Sequence, residues 1–149
     1  MAALTADFER NHLLHDQVLA ALPAKANVRI YRGALACVAT ATGLAETGSN
    51  SAGLRFAGVV VTGINNLGGA AGVISGGASL AGTERTIQVD TQGSHEIALS
   101  GADPVFGDVA FLVDDNTVSK VDPGAGVVVG RFLRPGNYGG WIVDISRAA

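Results

Sequence analysis

Cysteine is nearly absent: Cys37 is the only one in 149 residues. An intramolecular disulfide framework is therefore excluded, and the chain fits a reducing compartment. Cys37 lies in the apolar run Ala34 to Ala39, with no basic or histidine neighbour to activate a thiol. It reads as a small buried apolar residue. Charge is also sparse, at 15% of residues, against about 25% in ordinary soluble domains. The basic residues Arg10, Lys25, Arg29, Arg32, Arg55, Arg85, Lys120, Arg131, Arg134 and Arg147 are scattered. With a net charge of −3, they form no phosphate-tracking stripe and no lipid-binding patch. Aromatic residues are scarce at 5%, few for a carbohydrate-binding face built of exposed rings. No apolar run approaches the roughly 20 residues that span a bilayer. Met1 to Arg10 lacks the basic start and apolar stretch of a signal peptide, so a soluble protein made and used inside a cell is expected.

What the chain does have is apolar and small. Hydrophobic residues make up 48%, and there are 21 glycines. Such a composition suits a β protein with many turns and close backbone contacts, and surfaces where copies pack flat. The length fits one domain with a single core.

The N-terminal segment differs from the rest. Thr5 is placed to cap a helix, with Asp7 and Glu9 in its first turn. Leu14, Val18 and Leu22 recur every four residues, and Pro23 would stop the helix. A short helix or extended arm is expected over Thr5 to Leu22. From Asn27 the pattern turns to period two with glycine punctuation. Strands are expected around Val28 to Ile30, at Leu35 to Thr40, and strongly at Leu54 to Thr62. Thr42 to Gly53 reads as a polar loop. Gly63 to Gly82 reads as a long apolar loop of the kind that is often functional. Thr86 to Asp90 and His95 to Leu99 flank a turn and suggest a hairpin. Further strands are expected at Val109 to Val113, Thr117 to Val121, Val127 to Leu133 and Trp141 to Ile145. Gly130 is a candidate bulge or close-contact point.

Motifs that carry chemistry fail on inspection. Gly63 to Gly69 has no lysine for a phosphate loop and lacks the dinucleotide-binding glycine spacing. Gly77-Ala78-Ser79-Leu80-Ala81 misses the second glycine of a nucleophile elbow. His12 and His15, with Asp16 beside them, are too few for a metal site. Asp114-Asp115-Asn116 begins like a calcium loop but fails at Val118, and a hairpin turn explains it better. The carboxylates Asp90, Asp103, Asp108 and Asp122 sit in turn contexts. Asp144 is placed to face outward by alternation with Val143 and Ile145. Trp141 reads as a core or interface aromatic before a binding platform.

Taken in order, several stretches resemble a known family: the small head decoration, or cement, proteins of tailed bacteriophages. They are Arg29-Ile30-Tyr31-Arg32-Gly33-Ala34, Leu54 to Val59, and Gly107 to Val118 followed by Val127 to Arg131. The closing stretch is Gly140-Trp141-Ile142-Val143-Asp144-Ile145. The resemblance covers roughly Val28 to Ile145 and rests on strand-and-turn patterns. It implies a mainly β fold, a small β-barrel- or sandwich-like domain of β-tulip type with an N-terminal helical or extended arm. Residues 1–26 would be the arm and 27–149 the decoration domain. It also implies no enzyme: no catalytic residue, no cofactor, no metal. The implied partners are the major capsid protein of a phage head and the chain itself, as a homotrimer, with neither nucleic acid nor membrane. The implied location is the outer capsid surface of the virion, after synthesis in the host cytoplasm.

Three surfaces are expected to matter: the segment up to about Lys25 laid across the shell, the Gly63 to Gly82 loop ordering on contact, and the strands Val127 to Leu133 and Trp141 to Ile145 as core or trimer seam. Deleting residues 1–22 is expected to weaken shell binding while leaving the domain folded. The alternatives are another virion component (tail, fibre-base or head-completion protein) and a carbohydrate-binding β module.

Overall fold

A computed structural model describes residues 3–7, 18–73 and 85–145. The chain is mainly β, as its composition and period suggest. Among the described residues twelve strands run in order: β1 Leu19–Pro23, β2 Arg29–Ile30, β3 Leu35–Ala39, β4 Ala45–Thr47, β5 Leu54–Thr62, β6 Ile64–Asn65, β7 Thr86–Asp90, β8 Ser94–Leu99, β9 Val109–Asp114, β10 Thr117–Ser119, β11 Val128–Pro135 and β12 Trp141–Asp144. Among the described residues no helix is long and apolar enough to cross a membrane.

The last five strands close a barrel in the order β10-β8-β12-β11-β9. Its pairings are antiparallel except for β10 on β8, where Thr117 faces Ala98 and Val118 faces Leu99. The earlier strands form a five-stranded sheet, β1-β7-β5-β3-β4, and a two-stranded ribbon, β2-β6. A parallel bridge between Ala24 and Ala45 ties the chain just past β1 to β4 at the opposite edge.

The sheet is buried on both faces. Leu35, Cys37 and Val59 join the barrel residues Ile97, Leu112, Val129, Phe132 and Val143 in one apolar cluster. On the other side Ala34, Ala36, Val60, Ile87 and Val89 pack with Ile30 and Ala45. Strands enclosed on both faces carry continuous apolar runs instead of alternation, which accounts for Leu35-Ala36-Cys37 and Val59-Val60. Val127 to Leu133 and Trp141 to Ile145 supply barrel strands, and Val129, Phe132, Val143 and Ile145 lie in its core.

Gly130 does mark a bulge. The register of β11 on β9 shifts between Val128 and Gly130, and a Cβ at Gly130 would collide with the carbonyl oxygen of Asp144. A residue without a side chain is what lets β11 and β12 approach there.

Three expectations are corrected. Leu19 to Leu22, expected as the end of a helix, belongs to β1, which pairs antiparallel with β7 from Leu19↔Asp90 to Pro23↔Thr86. Ala20 and Leu22 pack inward on the second cluster, and a spacing of four satisfies a period of two as well as a helical one. Pro23 thus ends an edge strand, a place where a missing N–H is tolerated. The remainder of the expected helix falls at residues 8–17, outside the described residues. The expected loop Thr42 to Gly53 contains β4, whose Cys37↔Glu46 pairing adds it to β3. Finally, β7 and β8 form no hairpin, because β7 pairs with β1 and β5 while β8 pairs with β12 and β10. The turn between them is a crossing from sheet to barrel, where Thr91 N–H donates to Val18 O and Ile145 N–H donates to Gly93 O.

The N-terminal residues are bonded into this framework. Leu4 N–H donates to Asp115 Oδ1 at 2.9 Å, and Arg32 N–H donates to Asp7 Oδ1 at 2.8 Å. Deleting residues 1–22 removes nearly all of β1, bares Ile87 and Val89, and takes the Leu4 N–H from the buried Asp115 carboxylate. The truncated chain should lose about 3 kcal/mol or more of stability. Urea unfolding followed by circular dichroism measures this, and an unchanged midpoint would refute it.

Candidate functional site

The barrel has one end at which five strand ends meet. β8 ends there at Leu99, β11 at Pro135 and β10 at Ser119, while β9 and β12 begin there. The connections 100–108 and 136–140 therefore project from the same end, and the chain leaves β10 beside them. This end presents large apolar side chains to solvent. Phe106 is 78% exposed, Tyr138 80% and Val105 66%, with Val121 also exposed. Apolar side chains gathered in this way on one end are a signature of a contact surface, whereas single exposed ones are ordinary.

The loops that carry them are held by carboxylates, of which Glu96 is buried. Glu96, on β8, is buried and accepts hydrogen bonds from Tyr138 N–H at 2.9 Å and Gly140 N–H at 3.1 Å. A Cβ at Gly136 would collide with the Glu96 carboxyl group, so the loop closes over the carboxylate because that position has no side chain. Asp108 accepts from Val105 N–H at 2.9 Å, and Gly107 N–H donates to Phe132 O at 2.8 Å. Arg131 Nη1 donates to Gly107 O at 3.1 Å. The connection 120–127 is braced in the same manner. Asp122 Oδ1 accepts from Gly124 and Gly126 N–H, which hold its carboxyl below the usual range. Asn50 links that connection to the sheet side, donating to Leu112 O and accepting from Ala125 N–H. Fixed loops lose little entropy on contact with a partner, and this favours docking by preorganisation.

The residues weighed from sequence divide clearly. Cys37 is fully buried and its thiol is pushed up to about 11, first by burial and then by the Glu46 charge, against a hydrogen bond from the Ser49 backbone. It is a packing residue. Trp141 is half-buried and meets Phe132 edge to face, with centroids 5.9 Å apart and planes at 84°, so it belongs to the core. Asp114 and Asn116 form the β9–β10 turn, in which Asn116 N–H donates to Asp114 Oδ1 at 2.8 Å. Asp115, between them, is buried and its carbonyl accepts from Leu35 N–H at 2.7 Å. Asp144 is half-buried on β12. The stretch Gly63 to Gly69 includes β6 and a turn in which Asn66 Nδ2 donates to Lys25 O and Ala70 O. His12, His15, Asp16 and Gly77 to Ala81 lie outside the described residues. Among the described residues no three His, Cys, Asp or Glu side chains gather in a way that could hold a metal ion.

Sequence reasoning did not single out His95 and Glu96. His95 Nε2 lies 3.3 Å from Asp90 Oδ2, with both side chains almost wholly buried where sheet passes into barrel. For Glu96 a signal existed: the glycines at 136, 139 and 140 allow a backbone to wrap a carboxylate. The partner of that loop, some forty residues earlier, had no signal. Comparison with protein-family models, with curated proteins and with solved structures finds no significant match in any of the three.

Two outcomes test this geometry. Glu96→Ala should cost about 2–3 kcal/mol in urea unfolding by stranding the two loop N–H groups, and Glu96→Gln less. Cys37 should resist thiol reagents in the folded chain. With its acidity weakened from 9.0 to about 11, only on the order of one thiol in a thousand is ionised at pH 8. The unfolded chain releases this proton at lower pH than the folded one. The associated stability is therefore whole below pH 9.0 and is lost as pH rises toward about 11. Rapid labelling of the native protein at pH 8 would contradict the burial.

Proposed function

We propose that this chain is a non-catalytic virion component: a decoration protein that docks as a trimer on the outer surface of an expanded phage capsid and stabilises it against the pressure of packed DNA. Its partners on this reading are the major capsid protein and two further copies of itself. The observation that carries the reading is the barrel end with Val105, Phe106 and Tyr138 exposed on braced loops. Such an end suits non-covalent docking, in which a few aromatic anchors contribute most of the binding energy. Low charge and many small residues favour close, flat packing between neighbouring subunits. The strand-and-turn order from Arg29 to Ile145 that resembles the cement proteins supports the same reading. Nothing in this role requires proton transfer or a nucleophile, and the one thiol is buried and un-ionised at neutral pH.

Co-sedimentation with empty heads of the cognate phage tests the proposal. Saturable binding in many copies to expanded heads, and none to unexpanded precursors, is the expected result. Phe106→Ala and Tyr138→Ala should each weaken that binding by roughly 10- to 100-fold while leaving the fold intact. A folded protein that binds neither form of the head would remove the decoration role.

A further inference from the structure

The outer edge of β1 is only partly closed. Its inner edge pairs with β7 in an unbroken antiparallel register from Leu19↔Asp90 to Pro23↔Thr86. At the two ends of that ladder Thr91 N–H donates to Val18 O and Ala24 N–H donates to Arg85 O. Backbone groups point to alternate sides along a strand, so these bonds fix the direction of each residue. Val18, Ala20, Leu22 and Ala24 turn theirs toward β7, and Leu19, Ala21 and Pro23 turn theirs outward. Beyond Pro23 the outer edge is covered, because Ala24 bridges Ala45 and Lys25 N–H donates to Ala45 O. Among the described residues nothing pairs with the outward N–H and C=O of Leu19 and Ala21. Strand edges are ordinarily guarded by charges, prolines or bulges that turn a further strand away. Residues 18–22 read Val-Leu-Ala-Ala-Leu, without a charge, and the β1 register has no bulge. Pro23 stands at the end that is already covered. Val18 and Leu19 are 46% and 45% exposed at this same opening.

The open stretch is complementary to itself. In an antiparallel ladder, two residues that turn their backbone groups toward each other exchange both hydrogen bonds. Two copies of β1 laid side by side, with a two-fold axis at Ala20, set Leu19 opposite Ala21 of the second copy and Ala21 opposite its Leu19. Every outward group of these residues is then bonded. Moving the axis to Ala21 would set Leu19 against Pro23, which has no N–H. Moving it to Leu19 would set Ala21 beyond residue 18. On the axis itself Ala20 meets Ala20 in the closer, non-bonded kind of pair, where a small side chain fits. Val18 comes opposite Leu22 of the second copy, on the face where Ala20 and Leu22 pack against the sheet's apolar cluster. Leu19 lies beside Ala21 on the other face. Both exposed side chains thus gain an apolar cross-strand neighbour.

We propose that the outer edge of β1 is a self-association surface, which pairs antiparallel with the same edge of a second copy of this chain about a two-fold axis at Ala20. Val18 sits beside Thr91, just before β8 begins, whereas the exposed barrel end is where β8 finishes at Leu99. The two surfaces therefore lie toward opposite ends of β8, and the pairing does not depend on the docking role. A two-fold contact cannot close a three-fold ring, so this one is additional to a trimer and joins a copy in one trimer to a copy in the next. Sedimentation equilibrium of the full chain alone, up to about 1 mM, tests it. The expected result is an even-numbered species, a dimer or a pair of trimers, that grows with concentration. Leu19→Lys places a charge on the open edge and should weaken that association by about ten-fold or more, with an unchanged circular dichroism melt. Ala21→Pro removes an N–H that has no partner within the described chain, and it replaces the lysine variant if that one fails to fold. A chain that stays monomeric or forms only a trimer across this range would overturn the proposal. So would even-numbered association that is unchanged in the folded variant.

Discussion

Strands β3 and β5 carry apolar side chains on both faces, and neither face meets solvent along their central residues. One side of the sheet belongs to the barrel cluster through Leu35, Cys37 and Val59. The other packs Ala34, Ala36 and Val60 against β7 and the β2 ribbon. The barrel and the sheet are thus two halves of one apolar structure that share a wall. Small residues are what this wall requires, since close approach on both sides leaves little room at each position. Gly58 shows the limit: its φ is +157°, and a Cβ there would collide with the carbonyl oxygen of Asp90 on β7.

Sharing a wall brings polar groups inside. Asp90 and His95 face each other at the crossing between the halves, and Asp115 joins the β9–β10 turn to both Leu35 and the N-terminal Leu4. Buried polar groups in such places cost desolvation, and their hydrogen bonds and ion pairs offset it while defining one arrangement of the halves. Glu96 does the same for the outer end of the barrel. Tyr138 stands out into solvent on a loop whose backbone the carboxylate beneath it holds in place. The loop of Tyr138 therefore rests on a buried support that ties it to the barrel core.

The candidate surfaces were only partly legible in the sequence. Phe106 and Tyr138 sit in segments whose turn residues were plain: Ser100 to Asp108 and Arg134 to Gly140. Nothing local says that these two segments leave the barrel at the same end. That follows from the order β8-β12-β11-β9, which depends on which strand edges meet.

Local features of the chain determined much of the β architecture by themselves. Leu54–Thr62 and Thr86–Asp90 are strands over the residues their period and β-branched content indicate, Gly130 is a bulge, and Cys37 is buried. These depend on side-chain shape, alternation and turn chemistry within a few residues. Only the tertiary structure decided that Leu19–Pro23 is a strand, that β7 and β8 part company across a turn, and that Glu96 lies under a loop. A spacing of four fits helix and strand alike, a turn does not state whether its flanking strands pair, and a carboxylate's burial depends on a distant backbone. Each is settled by non-local contact, where register and packing outweigh the preferences of the local chain.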